Sequence, residues 1–550
     1  MFRPQWRPVD HFAPPGLAMV NRRSTMDRRS FLGSLSALSG ITSLRPAAAQ
    51  RARVLRFVPH ADLADFDPIA NVAYIARNAG MLVWDTLYGV DASLTPRRQM
   101  IEAETVSDDG LSWTFRLRDG LFFHDREKVR AVDAVASINR WAARDPIGQM
   151  IKSREQALTV VDDRTFRWDL KRPFRRLLLA LGKVSTPCCF IMPERIARTD
   201  PFHSIGDHVG SGPARFLRDE WVPGARAAFA RFEAYQPRAD SPSWASGGKA
   251  LTVDRIEWHV ISDPATAAAA LQKGEVDWWE RAFPDLVPDL RRTAGLSVMD
   301  ADSFGYLGVL VVNHLHPPFN DVRARRALLL AIDQQDYVSA FSGPEDVRLM
   351  PGYFAPGSPN FSEEGSEIFK GPRDLDTARR LIRESGYDGE RIVCLAAQDI
   401  AAHKAWGEVT ADLLNRIGMK VDLIAVDWGT VVARRGQRAP PSKGGWHIYH
   451  TGVFAADTVD PTQKWIRAAG DQALNGWAKN AGLETDVAAW FDAPDGDQQR
   501  AIIGRINRAA TEEVVYAPLG IYRSKYAFRN SLAGLASAPV PLFWGVTLSG

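Results

Sequence analysis

"RIVCLAAQDIAAHKAWGEVTADLLNRIGMKVDLIAVDW", residues 391–428, reads as strand, helix and strand in succession. RIVCLAA and MKVDLIAVDW are short apolar runs of strand length. The stretch between them is long enough for a helix and spaces its apolar residues accordingly, and Gly418 supplies the stop. Two strands joined by a helix of this length form a parallel βαβ unit, which points to an α/β protein. Its last two residues, Asp427 and Trp428, fall where the second strand ends.

Further strands and helices follow in both directions. Upstream, "NDVRARRALLLAID" at 320–333 is an amphipathic helix with Asp321 in its first turn and Ala324, Leu328 and Ala331 on one face. "DLDTARRLIRESGYDG" is another, stopped at Gly386. "RVLRFV" at 53–58 is a first strand, and "TVDRIEWHVI" at 252–261 is a strand with Val253, Ile256, Trp258 and Val260 to bury. Between them, "TVSDDGLSWTFRLRDGLFFHD" alternates Trp113, Phe115 and Leu117 with polar residues, between Asp-Gly turn pairs. That is a hairpin signature, and "LTVVDDRTFRWDLKRPF" is a second hairpin around Asp162-Asp163. Downstream, "GVFAADTVDP" at 452–461 is an apolar run breaking into Asp457 and Asp460 before Pro461, a pattern that turn chemistry alone can explain. The fold class expected is α/β with more than one sheet. No short period recurs, so a solenoid is excluded.

Composition sets the outer limits. A chain of 550 residues, 45% hydrophobic and 24% charged, is ordinary globular material for several domains. Its net charge of +3 comes from the first 49 residues, where seven arginines face two aspartates; the rest is close to neutral. A body without a basic block gives no electrostatic case for nucleic acid. "MDRRSFLGSLSALSGITSLRPAAAQ" at 26–50 has Arg28-Arg29, then Phe31-Leu32, a mild apolar stretch and a terminal Ala47-Ala48-Ala49. It is similar to a twin-arginine export signal, too short to span a bilayer, with translation expected to start at Met26 or Met19. The leader is assigned residues 1–49, and the mature chain is expected in a periplasm. Cys188, Cys189 and Cys394 form no disulfide framework and are expected as buried thiols.

Several fragments imitate catalytic or metal motifs. Ser246-Gly-Gly-Lys249 sits in a Pro- and Gly-rich loop, where no helix can bring Lys onto Ser. His447 and His450 lie at an odd spacing on a strand and face opposite ways; His314 and His316 have no further ligand at a metal spacing. No metal site and no cofactor is expected. A nucleophile elbow, a zincin motif, a Walker loop and a dinucleotide fingerprint are all missing from the sequence.

Residues 108–138, "DDGLSWTFRLRDGLFFHDREKVRAVDAVASI", resemble the family 5 extracellular solute-binding proteins, the dipeptide, oligopeptide and nickel receptors of ABC importers. Asp109-Gly110, Phe115, Leu117-Arg118, Gly120, Phe123-His124-Asp125 and Ala131-x-Asp133 match the family pattern; Arg126 and Ala134 depart from its usual Gly and Val. Asp65-Phe66-Asp67-Pro68, Gly210-Ser211-Gly212-Pro213, Gly274-Glu275-Val276-Asp277, the 313–333 segment and "DTVDP" continue the resemblance in order.

The resemblance implies a two-lobed periplasmic-binding-protein type II fold with an extra subdomain in the larger lobe. Lobe I is expected over 50–90, 205–262 and 505–550, the extra subdomain over 91–204, and lobe II over 263–504. It implies a binding protein rather than an enzyme, monomeric, not inserted in the membrane, passing a short peptide or peptide-like solute to permease subunits. Other readings are a receptor for a metal chelate or other small solute on the same fold, and a secreted hydrolase. By motif, Asp457 receives a ligand ammonium group, or else is only a turn acid, while Asp460 shapes the turn. Gly452, Val453 and Phe454 would line the cleft opposite Asn71 and Tyr74, and Trp428 would wall a side-chain pocket. Arg434, Arg435 and Arg438 are a solvated cluster in this reading, Arg323, Arg325 and Arg326 are structural, and no arginine is assigned to a ligand carboxylate.

Overall fold

The unit at 391–428 folds as a strand Arg391–Ala397, a helix Ala401–Arg416 and a parallel strand Lys420–Val426. Gly418 follows the helix with φ of +90°, a left-handed conformation that a side chain would resist. The computed structural model describes residues 52–343, 346–474, 476–494 and 496–549, so the export leader assigned to 1–49 lies outside the described residues.

Two large sheets organise the chain. The first has seven strands, in the spatial order Leu296–Asp300, Lys525–Arg529, Trp278–Ala282, Val54–Val58, Arg255–His259, Arg226–Arg231 and Ala214–Phe216. The second has six: Val347–Arg348, Ala517–Tyr522, Tyr306–Val312, Ile448–Phe454, Arg391–Ala397 and Lys420–Val426. Both mix parallel and antiparallel pairs, and helices cover the apolar residues they leave. In the helix Val322–Ala331, Asp321 caps the first turn by accepting from the Arg323 amide, and Ala324, Leu328 and Ala331 are all fully buried. The two hairpins join as a separate four-stranded sheet, Ile101–Val106, Ser112–Leu117, Thr165–Leu170 and Glu155–Val160, backed by the helix Ala131–Arg144. This is the extra subdomain, and Phe115, Leu117, Phe166 and Trp168 supply its buried face.

The chain passes between the large sheets twice, at 301–305 and at 523–524, and the two passages are tied by the Ala301 amide donating to the Ser524 carbonyl at 2.9 Å. Lys525 adds ion pairs of 2.6 Å to both Asp300 and Asp346 beside the crossing. Sheet membership corrects two expected boundaries. Strands Trp278–Ala282 and Leu296–Asp300 belong to the first sheet, so lobe II begins after Asp300 rather than at residue 263. Ala517–Tyr522 belongs to the second sheet, so the return to lobe I comes after Tyr522 rather than at 505. Short strands on either side of a crossing carry no local mark of the sheet they will join; long-range pairing decides it.

The imitation motifs are structural. Lys249 is fully buried against Asp85 at 2.8 Å, and the Ser246 hydroxyl donates to the Ser243 carbonyl. His450 pairs with Thr410, His447 with the Pro317 carbonyl and His316 with the Arg438 carbonyl, so none of these histidines converges with another. All three cysteines are buried and unbridged. Among the described residues no helix is long and apolar enough to cross a membrane.

Candidate ligand-binding cleft

The strand Ile448–Phe454 is buried along its whole length in the middle of the second sheet, antiparallel to Tyr306–Val312 and parallel to Arg391–Ala397. It ends against the first lobe, where a single helical turn, Ala455–Thr458, turns the Asp457 carboxylate toward the cleft. A side chain at Gly452 is impossible here: its Cβ would stand 2.0 Å from the Tyr306 ring, which lies on the Gly452 backbone and donates its hydroxyl to the Gly452 carbonyl at 3.0 Å. Glycine therefore lets Tyr306 lie flat across the strand.

Asp457 meets the opposite lobe. The Tyr74 hydroxyl, at the start of the helix Tyr74–Val83, donates to Asp457 Oδ2 at 2.5 Å. The other carboxylate oxygen, Oδ1, is buried and has no hydrogen-bond partner among the described residues. Burial and the neighbouring Asp457 charge push the Tyr74 phenol well above its ordinary pKa, so it stays a donor. Asp460 is buried and accepts from the Thr462 amide at 2.8 Å, a turn contact, and burial raises its pKa.

The cavity between the lobes measures about 610 Å³, in the size range of sites for small molecules. Of the residues expected from the sequence, Asn71, Tyr74, Trp428, Gly452, Val453 and Asp457 are brought together on its wall. Phe454 is not. It lies behind them, edge-on to Tyr74 at 4.6 Å and to Tyr306 at 5.4 Å, with the guanidinium groups of Arg77 and Arg281 over its ring. The reason is the pleat: neighbours along a strand point to opposite faces, and Phe454 takes the side that supports Tyr74.

Trp428 begins the helix Trp428–Arg435, capped by Asp427, and meets His403 edge-on at 4.9 Å. Burial lowers the His403 pKa to about 3, so its imidazole is neutral. His60 on the facing lobe donates to Glu280 through its backbone amide at 2.7 Å and pairs its Nδ1 with the same carboxylate at 2.8 Å; desolvation outweighs that carboxylate and lowers its pKa.

Cationic groups of the cleft were not assigned from the sequence. Arg281 projects from the strand Trp278–Ala282, with its guanidinium 4.9 Å from the Tyr306 ring centre and 5.0 Å from that of Phe454. The signal available was the charged pair Glu280-Arg281 inside an otherwise apolar strand. Arg435 also lines the cavity, whereas Arg434 is held by the Gly444 and Gly445 carbonyls and Arg438 by Asp471. Arg325 pairs with Glu513 and Arg323 with Asp321, away from the cleft. Lys464 stands in the cleft, reached by solvent but hemmed by protein; desolvation lowers its pKa and Asp457 opposes that shift.

A two-lobed α/β protein with a cavity between its lobes has the architecture of a solute receptor. Residues 95–473 match the family model for bacterial extracellular solute-binding proteins, family 5. The chain belongs to that family. It is 35% identical over 530 residues to the probable peptide ABC transporter periplasmic-binding protein y4tO of Sinorhizobium fredii, covering 95% of this chain and 99% of the relative. It is 24% identical over 528 residues to the glutathione-binding protein GsiB of Salmonella paratyphi A, covering 92% and 96%. Among solved structures, the ABC transporter-associated periplasmic binding protein DppA from Helicobacter pylori, in complex with peptide STSA, superposes with a TM-score of 0.75 at 21% identity over 90% of this chain and 98% of that one. That likeness shows the fold.

Proposed function

We propose that this chain is the substrate-binding component of an ABC importer, capturing a short peptide or peptide-like solute between its lobes and delivering it to permease subunits. The observation that carries this reading is Asp457: a carboxylate at the cleft with one oxygen held by Tyr74 across the lobes and the other buried without a partner. An ammonium group is its natural complement, and a charge-assisted hydrogen bond to a buried carboxylate oxygen is strong. The naming of y4tO and GsiB for peptide and glutathione binding supports the same class of solute. Cleft binding also couples occupancy to lobe closure, since contacts from both walls are made together only when the lobes meet.

The protein works in this reading as a monomeric receptor in the periplasm, exported through the twin-arginine route on the strength of Arg28-Arg29, and it performs no catalysis. Calorimetric titration of the mature chain with di- to pentapeptides, beside a nickel–histidine chelate, tests it. Saturable binding of one peptide per chain, with the peptide recovered intact, is expected. Binding of the chelate alone, or cleavage of the peptide, overturns the reading.

A further inference from the structure

The cleft holds more positive charge than a neutral peptide can balance. Lys183, Arg281, Arg435 and Lys464 all line it. Lys183 is matched by Asp145 at 2.8 Å. The other three make ring contacts and no ion pair among the described residues: Arg281 over Tyr306 and Phe454, Arg435 over Trp428 at 5.7 Å, and Lys464 5.9 Å from the Trp465 ring. An aromatic face balances part of a guanidinium's charge and leaves its in-plane N–H donors unused. Arg281 shows this directly, because its Nη2 is buried with no hydrogen-bond partner. Its neighbour in sequence, Glu280, cannot serve it, being engaged by the His60 amide, His60 Nδ1 and Asn78 Nδ2. Among the described residues lining the cavity, Asp457 is the carboxylate left to face these three cations; the Glu280 carboxylate behind the wall offsets part of the Arg281 charge, and the two cleft histidines are held neutral by burial.

A zwitterionic peptide adds one charge of each sign and leaves that surplus in place when the lobes close. A solute with an amine and two or more acidic groups lowers it. We propose that the cleft selects amine-bearing solutes of net negative charge, with Arg281 binding a ligand carboxylate from the first lobe while Arg435 and Lys464 face it from the second. The proposal rests on the peptide-receptor reading and adds to it the charge of the solute and the residue that reads it. A buried donor without a partner carries a desolvation cost, and a carboxylate at Arg281 Nη2 removes it, in a geometry that guanidinium matches better than ammonium.

The test is calorimetry at low ionic strength with three tripeptide sets, based on Ala-Ala-Ala and carrying Glu, Gln or Lys at each position in turn, and with citrate as an anion that lacks an amine. In at least one position Glu should bind about tenfold more tightly than Gln, the margin of a charge-assisted over a neutral hydrogen bond. Lys should be the weakest of the three. Arg281→Gln should bring the Glu-to-Gln ratio close to one. Arg435→Gln and Lys464→Gln, at solvent-accessible positions, should each reduce it, and they serve if the first variant does not fold. Equal affinities for Glu and Gln at every position, or a preference for Lys, would overturn the charge selection and leave the peptide reading intact. Citrate binding more tightly than every peptide would overturn the peptide reading and keep the charge selection. No binding by any probe at millimolar concentration would overturn both.

Discussion

Asp457→Asn changes one atom of the cleft and almost none of its shape. Asparagine keeps an oxygen for the Tyr74 hydroxyl, which now donates to Asp457 Oδ2 at 2.5 Å, and places an amide donor where the unpartnered Oδ1 stands. The bond across the lobes survives, while a bound ammonium meets a donor in place of a carboxylate. Removing one partner of a buried, hydrogen-bonded charge pair costs about 2–5 kcal/mol, or roughly 30-fold to several thousand-fold in affinity. Acetylating the peptide amine deletes the same contact from the other side. Calorimetry on wild type and variant, each with the free and the N-acetylated peptide, closes a double-mutant cycle. Acetylation should weaken binding to the wild type by a factor similar to the mutation, and weaken the variant far less. Additive losses would refute the reasoning and return Asp457 to the role of a turn acid.

Burial raises the Asp302 pKa to about 6 at the first lobe crossing, where its carboxylate accepts from the Phe304 and Gly305 amides, with a smaller push from the Asp457 charge. The folded state therefore holds this proton more tightly than the unfolded chain, so the contribution is full below about pH 4 and lost as pH rises to about 6. Asp302→Asn keeps an acceptor for one of these amides and sets a donor against the other, a cost that does not vary with pH, so relative to its own low-pH difference it should gain on the wild type by up to about 3 kcal/mol across that window in denaturant unfolding; a difference that does not change with pH would contradict this. Burial also pushes Cys188 up to about 11, Cys394 up to about 12 and Cys189 higher still, so a thiol reagent at pH 8 should label no cysteine in the folded protein and all three in guanidinium. Rapid labelling of the folded chain would show that these thiols are reachable. Replacing Arg28 and Arg29 together by Lys should leave precursor in the cytoplasm on immunoblots of cell fractions, and normal periplasmic accumulation would mean a general secretory signal.

What was legible in the sequence follows the range of the physics behind it. The βαβ unit at 391–428 and the helix at 322–331 carry their own periodicity, caps and stops, so they could be read locally, as could the hairpins that build the extra subdomain. The lobe boundaries could not, because the strands at 278–282, 296–300 and 517–522 are assigned to a sheet only by partners far away in the chain. The site divides in the same way. Asp457 stood out through its position in a motif, and Asn71, Tyr74, Trp428, Gly452 and Val453 came with it. Phe454 was misplaced because a turn begins at the strand's end and the pleat sets its direction. Lys464 went unassigned, since a single charged residue in a turn looks the same in sequence whether it faces solvent or a cleft; Arg281 was marked only by the Glu280-Arg281 pair in an apolar strand, which does not say which face either side chain takes.

The central claim is that the cleft takes an amine-bearing, peptide-like solute, and the bound molecule itself is the most direct test. The mature protein, incubated with a peptide-rich cell extract and freed of unbound solute, can be weighed by native mass spectrometry and its ligand released and fragmented. The account predicts one added mass per chain, from a solute that bears a free amine and has the fragmentation pattern of a peptide or peptide conjugate. A bound metal chelate, or an organic solute without an amine, would contradict it.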